Sequence, residues 1–157
     1  MKLLGIIDED FVNFKKPCMV LEFPYCDFKC ERECRLQVCQ NSRLAGIPPL
    51  DLNDLYIIER YTKNPITEAV VMQGLEPFDS WDELYHFINL FRESNNDTIV
   101  IYTGYKEEEI EDKINKLKQY SNIIIKYGRF VPGQKPHYDS ILGVLLASDN
   151  QYGEQIS

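Results

Sequence analysis

From Cys18 onward the chain repeats one pattern, in which a short apolar run is followed by a polar turn and a stretch of helical periodicity. Cys18 to Phe23 reads as a buried strand. Asp51 to Tyr61 reads as a helix, with Asp51 as N-cap and Leu52, Leu55 and Ile57 or Ile58 turned inward. Glu68 to Met72 is the next strand. After it, a Ser80–Glu83 capping box precedes the helical stripe Leu84, Phe87, Ile88 and Phe91. Thr98 to Tyr102 is a third strand, followed by a helix with Glu107, Glu108 and Glu109 in its first turn and Ile110, Ile114 and Leu117 inside. Asn122 to Lys126 and Ile141 to Ala147 complete the set. Strands alternating with helices predict an α/β fold with a mostly parallel sheet and right-handed crossovers. Four or five such units are too few to close an eight-stranded barrel, which takes about 250 residues. A small open partial (βα) barrel, one domain over residues 1–157, is therefore predicted. The strand C-terminal ends, where α/β sites gather, would carry the loop after Phe23 and the turns after Met72 and Tyr102.

The loop after the first of these strands holds four of the five cysteines, Cys26, Cys30, Cys34 and Cys39. An odd count and tight clustering fit a disulfide framework poorly. The start of the chain lacks the apolar core and cleavage site of a signal peptide, and no apolar run approaches the roughly 20 residues of a membrane span. A cytoplasmic location is expected, where thiols stay reduced. Clustered thiols there read as a zinc site, an iron–sulfur site or incidental core residues, and spacing alone leaves all three open. Cys18, inside an apolar run, reads as a small buried hydrophobe. The formal charge is −8, with 17 basic against 25 acidic residues, which argues against nucleic acid or an anionic membrane as partner. Ten Tyr and eight Phe in a chain that is 44% hydrophobic argue against disorder.

Cys26-x3-Cys30 after a strand, with a further thiol in Cys39-Gln40-Asn41, resembles the cluster loop of radical S-adenosylmethionine enzymes. Their usual pattern is C-x3-C-x2-C, often continuing as Cys-His-Asn. Along most of its length the chain resembles the anaerobic ribonucleotide reductase activating proteins in particular. Asp10-Phe-Val-Asn13 stands where they carry Asp-Ile-Val-Asn, and Gly74-Leu75-Glu76-Pro77 resembles their Gly-Gly-Glu-Pro turn. Tyr102-Thr103-Gly104-Tyr105 matches their Tyr-Thr-Gly-Tyr, and Tyr127-Gly128-Arg129-Phe130 resembles their Asp-Gly-Arg-Phe. Ser148-Asp149-Asn150-Gln151 resembles a terminal Ser-Ser-Asn-Gln-Arg. The chain departs from the family at three places. Glu33 occupies the position of the third cysteine, Leu75 replaces a glycine and Tyr127 replaces an aspartate. Leucine reaches positive φ with difficulty, which predicts that the turn at Leu75 is either rebuilt or takes a different backbone shape.

The resemblance implies a [4Fe–4S] cluster held by three thiolates, S-adenosylmethionine as cofactor and an external electron donor. It implies Cys26, Cys30 and Cys39 as ligands, with Cys34 as the alternative third. Gln73, Gly74 and Leu75 are the implied backbone partners of the methionine amine. Glu76 is a binding or structural carboxylate, or simply an acid at a helix start before Pro77. Lys126 is a candidate for the methionine carboxylate, the alternative being a solvated lysine. Val38 occupies the place of an adenine contact, and Asn41, Thr103 and Asn150 are further binding candidates. His86 and His137 read as surface residues. The implied activity is formation of a glycyl radical on a partner enzyme of the anaerobic ribonucleotide reductase type. Two alternatives stand beside it. One is a divergent small radical enzyme modifying another protein or a small molecule. The other is a non-enzymatic iron–sulfur or zinc module for electron transfer or interaction.

Overall fold

The computed structural model describes all 157 residues. Ten strands run in chain order: β1 (Lys2–Leu3), β2 (Gly5–Asp10), β3 (Cys18–Phe23), β4 (Leu50–Asp51), β5 (Ala69–Gly74), β6 (Thr98–Tyr102), β7 (Ile123–Tyr127), β8 (His137–Asp139), β9 (Val144–Leu146) and β10 (Tyr152–Gln155). Four α-helices lie between them: α1 (Lys29–Cys34), α2 (Asp54–Lys63), α3 (Trp81–Arg92) and α4 (Glu111–Leu117). The main sheet has the order β10-β7-β6-β5-β3-β2. Its four central strands are parallel, while β2 and β10 close the two edges antiparallel. No helix is long and apolar enough to cross a membrane.

The parallel strands follow one another in space as they do in sequence, so their crossovers lie on one face. There Ile57, Leu84, Phe87, Ile88, Phe91, Ile114 and Leu117 of the helices pack on Met19, Leu21, Val70, Met72, Ile99, Ile101 and Ile125 of the strands. The alternate strand residues Cys18, Val20, Ala69, Val71, Val100 and Ile124 point to the other face. No helix covers that side. Phe14 and the β8–β9 hairpin, through Leu142 and Leu146, pack there instead. Cys18 is fully buried in this smaller core, its thiol donates to Asp10 O at 3.6 Å, and burial together with Asp10 pushes that thiol up to about 12.

Several expected boundaries move. Helix α2 starts at Asp54, because Asn53 accepts hydrogen bonds from Leu55 N (2.8 Å) and Tyr56 N (3.3 Å) and serves as the cap. Asp51 is instead paired with Lys2 in the β1–β4 ladder, and Leu55 is exposed. The Ser80–Glu83 capping box does not form. Ser80 precedes α3 without a side-chain cap, and the Glu83 carboxylate accepts from Lys2 N instead. The expected strand from Ile141 to Ala147 is broken by a turn at Leu142–Gly143, where Leu142 N donates to Asp139 Oδ1 and Gly143 adopts φ +74°. Only Val144–Leu146 remains extended, and it pairs with β8 rather than with the sheet.

Candidate metal centre

The C-terminal ends of β3, β5, β6 and β7 open onto one cavity of about 390 Å³. The register explains the convergence. Pairing of Phe23 with Gly74, and of Tyr102 with Lys126, brings the four strand exits level. The cysteine loop leaves from β3, the Gln73–Glu76 turn from β5, the Thr103–Tyr105 turn from β6 and the Gly128–Phe130 segment from β7. Cys26, Cys30, Cys39, Asn41, Gln73, Gly74, Leu75, Glu76, Thr103 and Lys126 all line the cavity. Cys34, Val38 and Asn150 do not. The Cys34 thiol is engaged with the carbonyls of Glu31 and Leu36 at the end of α1. Asn150 uses its amide to donate to Arg129 O at 2.8 Å, so it braces the cavity wall rather than facing a ligand. His86 is exposed, and His137 sits in β8 outside the cavity.

All five cysteines carry free thiols. Burial pushes the Cys26 thiol up to about 12, against the opposing pull of the Phe28 N–H that donates to its sulfur. Burial also raises Cys30, with Cys39 adding to the effect. Burial thus favours the protonated form of Cys26 and Cys30, and a metal would have to displace those two protons. The trio of metal-binding groups within 4.8 Å of one another is Cys26, Asp27 and Asp79, which contains one thiol only. No three of the cysteine sulfurs come within 4.8 Å of one another, as the sulfurs of a four-sulfur zinc site with bonds of about 2.3 Å would have to. Three free thiols spread around an open, partly polar cavity fit a larger polynuclear group better.

The turn after β5 does not need the conformation that Leu75 would resist. The positive φ falls on Gly74 (+99°), where a Cβ would lie 2.7 Å from Phe23 N and 2.9 Å from Phe23 O. Leu75 has ordinary φ, and its N–H donates to Phe23 O at 3.0 Å. The expected rebuilding at Leu75 is thus unnecessary. Glu76 is 5% exposed and accepts from Phe78 N, Thr103 Oγ1 and Gly104 N at 3.1, 2.8 and 2.8 Å. Burial pushes its carboxyl up to about 7, although those three hydrogen bonds pull it down. Glu76 caps the short turn before α3 and also bridges to the next strand exit.

Lys126 is buried rather than solvated. Its ammonium donates to Gly128 O at 2.9 Å, and burial pushes it down to about 8 with Glu76 opposing. An ammonium has three donors, so two remain for a ligand in the cavity. Asn41 donates to Gly74 O at 2.8 Å and ties the far end of the cysteine loop to the β5 turn. Lys29 also lines the cavity without any signal in the sequence pattern, and Tyr105 and Arg129, which stood only in the strand-end motifs without an assigned role, line it too. Arg129, only 7% exposed, forms a two-pronged contact with Glu109 at 2.7 and 2.9 Å.

The profile of the 4Fe-4S single cluster domain family matches residues 18–151. That span runs from the first residue of β3 to the turn before β10 and includes every cysteine and every strand exit around the cavity. Neither the curated proteins nor the solved structures contain a match. With the match covering nearly the whole length, and the thiols gathered at a cavity that suits a polynuclear group, the chain belongs to the 4Fe-4S single cluster domain family.

Proposed function

We propose that the chain is a radical S-adenosylmethionine enzyme that generates a glycyl radical on a partner protein of the anaerobic ribonucleotide reductase type. The observation that carries this reading is the meeting of Cys26, Cys30 and Cys39 with the Gln73–Glu76 turn and Lys126 around one cavity. Three thiolate ligands are one fewer than the usual four of a [4Fe–4S] cluster. Held by Cys26, Cys30 and Cys39, such a cluster would pass one electron from an external donor to S-adenosylmethionine, giving methionine and a 5′-deoxyadenosyl radical that would take a hydrogen atom from a backbone glycine and leave as 5′-deoxyadenosine. The residues of the chain do the positioning. The backbone at Gln73, Gly74 and Leu75 borders the cavity where an amine would bind, and Glu76 holds that turn against Thr103 and Gly104. Lys126 offers two free donors to a carboxylate. Crossovers that all lie on one face of the sheet support a partial barrel, whose open side a protein substrate would complete. The reading treats residues 1–157 as one domain working in the cytoplasm.

A second reading, a cluster module for electron transfer, is favoured by the family description itself, which states a single cluster and no reaction. Anaerobic reconstitution followed by dithionite and S-adenosylmethionine separates the two. The enzyme reading expects about four irons per chain and release of 5′-deoxyadenosine. Full iron loading without 5′-deoxyadenosine would leave the electron-transfer module. If deoxyadenosine forms but no glycyl-radical signal appears on a reductase partner, the substrate is another protein or a small molecule.

A further inference from the structure

Between Pro24 and Ile57 no residue is buried. The cysteine segment thus has no apolar core of its own, and α1, the helix that carries Cys30, buries none of its side chains. It also lacks a side-chain N-cap and is flanked by left-handed residues, Phe28 (φ 54°) and Arg35 (φ 56°). Neither is glycine, so both ends of α1 are held in a conformation that local preference opposes. Something outside the helix has to keep it in place.

Glu109, which follows β6, is at the centre of the contacts that do so. Its carboxylate pairs with Lys29 of α1, accepts a hydrogen bond from Arg129 Nη2 at 2.9 Å and lies 2.7 Å from Arg129 Nη1 as an ion pair. It also accepts from Lys106 N at 2.9 Å, which fixes it to its own turn. Arg129 in turn reaches Glu33 of α1, Nε to Oε2, at 3.6 Å. The guanidinium lies 5.7 Å and the Lys29 ammonium 5.8 Å from the centre of the Tyr105 ring, within cation–π range of both. Two acids and two bases, contributed by three separate segments, therefore close a circuit from α1 to the exits of β6 and β7.

We infer that Glu109 is a positioning residue, a carboxylate that latches α1 over the cavity and so gathers the thiols before the cluster is assembled. The inference rests on the assignment of Cys26, Cys30 and Cys39 as ligands. The latch acts through charge at a partly exposed site, with Lys29 36% and Glu33 52% exposed, and is open to screening by salt. It differs in this from the Asn41–Gly74 contact, which is neutral.

The test compares hydrogen exchange in the iron-free full chain for wild type, Glu109→Gln and Lys29→Gln. Lys29→Gln cuts only the direct link from Glu109 to α1 and leaves the Arg129–Glu109 and Arg129–Glu33 contacts, so it guards against general unfolding. Both variants should speed exchange in residues 26–39 at least tenfold at low salt while β3, β5 and β6 keep their protection. Wild type in 1 M salt should approach them, and Glu109→Asp should recover part of the protection. In the reconstituted protein, iron loss to a chelator should be at least fivefold faster in both variants at unchanged melting temperature. Unchanged exchange over residues 26–39 in both variants would overturn the inference, as would an equal rise throughout the sheet. The exchange measurement requires no metal. Fast local exchange in a chain that takes up no iron would therefore uphold the latch and sink the ligand assignment.

Discussion

The Glu76 carboxylate accepts a hydrogen bond from Gly104 N at 2.8 Å, joining the turn after β5 to the turn after β6. The two residues are 28 positions apart. Both turns border the cavity, so the spacing of its walls is set by one buried acid. Replacing Glu76 with alanine leaves three buried donors unpaired, at a cost of about 3 kcal/mol. Urea denaturation of the iron-free chain measures it, and a loss below about 1 kcal/mol would contradict the bridging role.

The same carboxyl makes stability depend on pH. Its folded pKa of about 7 lies above the ordinary 4.5, so the native chain holds the proton more tightly than the unfolded one. Its contribution is fully present below about pH 4.5 and is lost as pH rises to about 7. Wild type should therefore lose stability across that window relative to Glu76→Gln, by about 3 kcal/mol. Parallel stability curves for the two proteins would refute this.

Lys126 carries a charge that the fold does not need. Its one hydrogen bond is to Gly128 O, and burial disfavours the ammonium. Lys126→Met should fold at least as stably as wild type, because a desolvated charge is replaced by an apolar side chain of similar length. Affinity for S-adenosylmethionine should nevertheless fall at least tenfold by calorimetry. In wild type that affinity should decline as pH rises through about 8, where the ammonium is lost. Undiminished binding by Lys126→Met would remove Lys126 from the ligand site.

The cysteines divide by position. Cys26→Ala, Cys30→Ala and Cys39→Ala should each lose most of the iron after reconstitution. Cys34→Ala should retain it, since its thiol lies outside the cavity. Iron analysis and visible absorbance decide between them, and the reverse result for Cys34 and Cys39 would exchange their roles.

At the β5 turn the backbone allows one residue only. Gly74→Ala would push a Cβ to 2.7 Å from Phe23 N at φ +99°, and should cost about 2 kcal/mol or more. Leu75→Gly, at an unstrained position, should cost less than half of that in the same urea titration.

The central strands were legible because both faces of β3, β5, β6 and β7 are buried, which writes them as continuous apolar runs. The inward stripes of α3 and α4 were equally plain. The edge strands were not. Gly5–Asp10 carries three acids and Tyr152–Gln155 is largely polar, because each strand has a neighbour on one side only. Ile141–Ala147 misled for the opposite reason. Its apolar residues are needed to cover the helix-free sheet face, and the Asp139 turn rather than a strand presents Leu142 there. At the site, the thiols and the strand-end turns could be found from spacing and motif. The Glu109–Arg129 pair could not, since its members lie 20 residues apart in two turns and no periodicity links them.

The cysteine segment, without a buried residue from Tyr25 to Tyr56, has a consequence for the life of the protein in a cell. Where a metal completes a segment that cannot fold by itself, binding energy is folding energy. Local opening is also where proteases cut. The lifetime of the chain should then follow iron supply. Molecules that fail to acquire a cluster would present a long cleavable loop and be cleared, so that those which persist are the ones equipped to work.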